Sequence, residues 1–163
     1  MPPADRLRRK LTVRARTPDG ARTLVLVKRA EESGEHVQQK ALLWLRYLPA
    51  YPGLRVEQAL PFPSRFKPDL YALDATGADV AFWGECGVVS AEKLGRLLRA
   101  HPRTHFAFSK WAGRVGAFAA QVEAALRGVR RRAPVELLVF PTDAAAWLDA
   151  APDARAAHLE GLE

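Results

Sequence analysis

Two short apolar runs, DLYAL and VAFWGEC, flank the polar, Gly-containing stretch DATGAD, so this part of the chain reads as a β-hairpin centred on Gly77. In that register, residues whose numbers sum to 154 face one another, so Tyr71 meets Trp83 and Asp69 meets Glu85. Two carboxylates opposed on one sheet face repel. A divalent cation between them is the simplest compensation. The reading depends on register, because a slip of one residue sends the two carboxylates to opposite faces.

At 163 residues, with 48% hydrophobic and 26% charged residues, the chain is expected to form one domain, 1–163, with a real core. The single cysteine, Cys86, excludes a disulfide framework and a Cys-rich zinc site. The segment MPPADRLRRKLTV has basic residues but no apolar stretch suited to a signal peptide. Nothing approaches the roughly 18 apolar residues of a membrane span. No membrane association is expected, and a cytoplasmic location is the default.

The net charge of +7 is unevenly placed. Residues 1–30 hold nine Lys/Arg against two Asp/Glu, whereas residues 142–163 hold one Arg against five acids. A basic surface attracts polyanions such as nucleic acid through a sequence-independent, salt-sensitive term. The competing explanation is an Arg-rich composition with no such partner.

LTVRAR and ARTLVLVKRA, joined by TPDG, read as a hairpin over about residues 10–30, with Val13 and Ala15 on one face and Arg14 and Arg16 on the other. Ser33 is placed to cap a helix whose buried face carries Val37, Ala41, Trp44, Leu45 and Leu48. LRVEQALPF is expected to be a strand, followed by the break PFPS and the carboxylate hairpin over 68–86. Ser90 caps a second helix with Leu94, Leu97 and Leu98 inward, THFAFS is a buried strand, and a helix over 113–128 carries Val115, Phe118, Val122 and Leu126. Arg127, Arg130, Arg131 and Arg132 suit the negative end of that helix. PVELLVFP is a last strand, and 142–163 is an acidic tail, helical or loosely docked. The pattern is that of an α/β fold with a central mixed sheet flanked by helices.

A Mg²⁺-type cation takes oxygen ligands, usually one or two protein carboxylates plus waters. Asp69 and Glu85 supply carboxylates, and a strand carbonyl near Cys86 supplies a third oxygen. Lys93, eight residues after Glu85 and in the first turn of the next helix, is the candidate cation beside a bound water. Each residue has a plainer role. Asp69 after Pro68 suits a turn or strand start, Glu85 a structural salt bridge to Lys67 or Lys93, and Glu35 a favourable first-turn acid. Glu85 is the hardest to dismiss, because it sits in a run that looks buried on both faces. His36, His101, His105 and His158 show no metal-ligand spacing, and no serine sits in a nucleophile elbow.

The segment from Glu35 through Lys110 resembles the PD-(D/E)xK nuclease superfamily, with its restriction-endonuclease-like fold, and is most similar to the YaeQ branch. The match rests on EHVQQKALLWLRYL after a hairpin, on KPDLYALD followed by WGECG, and on SAEKLGRLLRA followed by HFAFS. The resemblance implies a nuclease-like core over 35–140, with Asp69 and Glu85 as Mg²⁺ or Mn²⁺ ligands and Glu35 as the accessory acid of the first core helix. The motif lysine belongs two residues after Glu85, where Gly87 stands, and Lys93 is the residue placed to serve instead. The implied activity is metal-dependent phosphodiester hydrolysis on DNA or RNA, with Lys67, Lys110 and Arg114 as phosphate contacts. The alternative is a catalytically inactive nucleic-acid or protein binding module on the same fold. A third reading makes the acids structural pairs that share no pocket.

Overall fold

The computed structural model describes residues 10–113 and 115–149. The first two strands, β1 (Lys10–Thr17) and β2 (Gly20–Val27), form a separate antiparallel hairpin. Val13 pairs with Leu24 and points inward, as its alternation with Arg14 and Arg16 predicts. Helix α1 (Gly34–Tyr47) starts where expected, with the Ser33 hydroxyl accepting from the His36 N–H at 3.2 Å. Its buried surface is wider than one stripe and takes in Gln39, Lys40, Leu42 and Leu43.

Five strands make the main sheet: β3 (Arg55–Val56), β4 (Leu70–Leu73), β5 (Val80–Cys86), β6 (His105–Trp111) and β7 (Val135–Phe140), in that spatial order. β3, β4 and β5 are antiparallel neighbours, while β5–β6 and β6–β7 are parallel. The parallel pairs require crossovers, supplied by α2 (Ala91–Ala100) and α3 (Gly116–Leu126). Ser90 caps α2 by accepting from the Lys93 N–H at 3.1 Å.

Alternation along the strands divides the core into two layers. Leu70, Ala72, Phe82, Cys86 and Ala107 face α1 and the hairpin. Tyr71, Trp83, Phe106 and Phe108 face Leu94, Leu97 and Leu98 of α2 and Phe118 and Val122 of α3. Gly84 sits tight against α1: a Cβ there would lie 3.0 Å from Leu43 Cδ2. No helix among the described residues is long and apolar enough to cross a membrane.

The structure revises the sequence reading in four places. Facing pairs sum to 154 at Leu70–Gly84, Tyr71–Trp83 and Ala72–Phe82, but a bulge pairs Leu73 with Val80 beside the turn. LRVEQALPF contributes only Arg55–Val56 to the sheet, because Glu57 turns to a φ of 58° and takes the strand out of register. The third helix spans Gly116–Leu126, shorter than 113–128. Arg131 does not cap that helix; its guanidinium donates to the carbonyls of Leu98 and His101 at the end of α2 and of Thr104. Of the acidic tail, Ala144–Asp149 forms a 3₁₀ turn, and 150–163 lie outside the described residues.

Candidate functional site

A cleft of about 740 Å³ opens beside the C-terminal ends of β5 and β6, between the start of α1 and the approach to β4. In open α/β sheets the carboxyl ends of parallel strands are the usual place for a ligand. Glu35, Lys67, Asp69 and Lys110 all line this cleft, so four of the residues singled out in the sequence converge. Arg114 lies outside the described residues.

Asp69 precedes β4, just beyond the Leu70–Gly84 pair. Its Oδ2 accepts from the Cys86 N–H at 2.8 Å, and its Oδ1 lies 3.7 Å from His36 Nε2 on α1. Burial alone would raise its pKa. The nearby His36 ring, the hydrogen bond from the Cys86 N–H and the charge of Lys40 outweigh burial and hold it below the usual carboxylate range. Cys86 meets Asp69 through its amide N–H. Its thiol is buried, and burial pushes that pKa well up, in keeping with an inert core residue.

Glu85 takes the opposite course. It lies on the α2 side of the sheet with Trp83, whose Nε1–H donates to Glu85 Oε1 at 2.8 Å, and it does not line the cleft. Lys93 Nζ lies 2.9 Å from the same oxygen. Burial raises the Glu85 pKa, the bonds from Lys93 and Trp83 oppose this only in part, and the charge of Asp69 adds to the rise. The charge of Asp69 acts on Glu85, but the two carboxylates have different partners. Lys93 and Glu85 thus form an ion pair.

Residues not singled out complete the cleft. Lys40 has only 6% of its side chain exposed, and its Nζ bonds to Glu32 and, at 2.6 Å, to Glu57. Burial lowers its pKa, but those bonds and the charges of Asp69 and Glu57 raise it further, so the ammonium stays charged. The Glu57 N–H donates to the Asp69 carbonyl at 2.9 Å, so the left-handed residue that ends β3 is also tied to the Asp69 backbone. His36 Nε2 sits 3.7 Å from Glu32 Oε1 as well as from Asp69. One sequence signal was there to find: Lys40 falls on the apolar stripe beside Val37, Ala41 and Trp44, where a lysine requires a counter-charge. Nothing local marked Glu57 as that counter-charge.

No family model matches the chain, and no curated protein matches it in sequence. In structure it is similar to the YaeQ protein from Pseudomonas syringae, with 17% identity and a TM-score of 0.60 over 88% of this chain and 76% of that one. The YaeQ protein from Xanthomonas axonopodis pv. citri aligns at 15% identity and a TM-score of 0.49, over 83% and 86% of the two chains. What the Pseudomonas likeness shows is a shared YaeQ-like fold.

Proposed function

We propose that the protein is a metal-dependent phosphodiester hydrolase acting on DNA or RNA, with Mg²⁺ or Mn²⁺ as its cofactor. Asp69 carries this reading: a carboxylate held ionised in a cleft at the carboxyl ends of parallel strands. Among the described residues no group of three or more His, Cys, Asp and Glu is placed to hold a metal ion. The reading rests instead on a hard cation that keeps most of its waters and takes one or two carboxylates. Asp69 and Glu85 would hold it, and Glu35 would act from the cleft wall. Bound there, the ion would supply Lewis-acid polarisation and a more acidic water. The chain's own part is to keep Asp69 ionised through His36 and the Cys86 N–H. Arg29 and Lys67 on the cleft wall could meet a polyanion, beside the carboxylates of Glu31, Glu32, Glu35, Glu57 and Asp69.

Incubation of the full chain with labelled DNA and RNA and Mg²⁺ or Mn²⁺ tests this. Cleavage by the wild type that drops about 100-fold or more in Asp69→Ala, in line with loss of an electrostatic centre, is the expected result. Absence of both cleavage and metal binding in the wild type defeats the enzyme reading. The closed Glu85–Lys93 pair favours a second reading, a non-catalytic nucleic-acid-binding module. That reading expects binding without cleavage, unchanged by Glu85→Gln.

A further inference from the structure

Position 87 is closed to a side chain. Gly87 has a φ of +81°, and a Cβ built on it would lie 3.1 Å from His36 Nδ1. A lysine there would be strained in its backbone and crowded by the ring that sits beside Asp69. The β5–β6 ladder ends at Cys86–Ser109, so the next step along it brings Lys110 alongside Gly87. The Lys110 Nζ donates to the Gly87 carbonyl, which places an ammonium at the end of β5 beside the position that cannot carry one.

The cleft cations differ in their partners. Lys40 is neutralised by Glu32 and Glu57, and Lys93, outside the cleft, by Glu85. Lys110 is buried, with 9% exposure, and has no carboxylate within ion-pair distance among the described residues. Its Nζ has the Gly87 carbonyl and the face of Phe118, 4.2 Å from the ring centroid. A carbonyl and an aromatic face orient a cation without cancelling its charge. A buried charge without a counter-charge is unfavourable, and an arriving anion relieves it.

We propose that Lys110, and not Lys93, is the ammonium that meets a phosphate oxygen of the ligand in the cleft. The inference rests on the reading above in that the phosphate belongs to a nucleic acid. Lys110 lies on the strand next to β5 and lines the same cleft as Asp69, so a ligand seated in that cleft has both within its walls. Phe118 and the Gly87 carbonyl hold the lysine stem in place before the ligand binds, which lowers the ordering cost of the contact.

The test is binding in EDTA, with cleavage switched off. Fluorescent single-stranded and duplex oligonucleotides are titrated across a salt series, and inorganic phosphate is titrated separately while the amide NMR signals of Gly87 and Trp111 are followed. Lys110→Gln keeps a donor for the Gly87 carbonyl and removes only the charge; Lys110→Arg keeps the charge; Lys93→Ala removes the rival. Lys110→Gln is expected to reduce the slope of log affinity against log salt by about one and to abolish the phosphate-induced shifts. Lys110→Arg should restore the slope, and Lys93→Ala should leave it at the wild-type value. Phosphate binding through Lys110 without oligonucleotide binding keeps the anion site and defeats the nucleic-acid reading. A wild-type slope in Lys110→Gln, loss in Lys93→Ala instead, or no binding of either probe by the wild type overturns the proposal.

Discussion

Asp69 and Glu85 lie at the same level of one hairpin, and their environments push them in opposite directions. Asp69 receives an N–H and an imidazole and is held ionised at the cleft; Glu85 receives one ammonium and one indole N–H but is buried so deeply that its acid form gains ground. Their nearest lysines differ in the same way. Lys40 belongs to a buried group with Glu32 and Glu57, whereas Lys93 closes a single pair and keeps 23% of its side chain in contact with solvent. The Asp69 end is a charged group open to a cleft, and the Glu85 end is a single ion pair. Equal spacing from a turn does not give two carboxylates equal chemistry.

The largest expected effect on stability comes from breaking the Asp69 side. Lys40→Ala leaves Glu32 and Glu57 without their buried counter-charge, and a loss of about 3–5 kcal/mol in urea denaturation is expected. Lys93→Ala should cost less, about 1–2 kcal/mol, because Glu85 keeps its bond from Trp83 and can take up a proton. If Lys93→Ala proves the costlier of the two, the contrast between an extended group and a single pair is wrong.

Acidification separates the two carboxylates by sign. The folded pKa of Asp69 lies below its ordinary 3.8, so its stabilising contribution is present above that value and is lost as pH falls through the folded pKa. The folded pKa of Glu85 lies above its ordinary 4.5, so the folded state binds the extra proton, and stability declines as pH rises from 4.5 through the folded pKa. Thermal melts from pH 2 to 7 should show Asp69→Asn flattening the low-pH limb and Glu85→Gln flattening the decline above 4.5. The same limb flattened by both variants would mean that the two acids titrate as one unit. The smallest effect is expected for Trp83→Phe, which removes one buried donor to Glu85 at about 1 kcal/mol in denaturation. It should raise the Glu85 pKa further, as followed by carboxyl NMR.

Much of the scaffold was legible because its signals are local. Ser33 and Ser90 cap the helices they precede, the leucines of α2 recur at helical spacing, and Tyr71 faces Trp83 because the side-chain period of a strand is two. The bulge at Leu73 was not legible, since it depends on how β4 and β5 twist together near the turn. Nor was the capture of α2 carbonyls by Arg131, a contact across 33 residues for Leu98. Charge on its own misled there: a run of arginines after a helix pointed to that helix's own end.

The sequence by itself determined that an acid stands before β4, that another ends β5 on the Tyr71–Trp83 face, and that no lysine follows two residues later. Those statements need only strand alternation and residue identity. Tertiary structure decided that Asp69 turns to His36 and the cleft, that Glu85 closes on Lys93, that Lys40 draws in Glu32 and Glu57, and that Lys110 comes to lie beside Gly87. At the end of a strand, side-chain direction is set by whichever partners pack nearby, and those came from α1, α2, β6 and the residue after β3. The alignment of β5 with β6 was fixed by the α2 crossover between them, which no local pattern records.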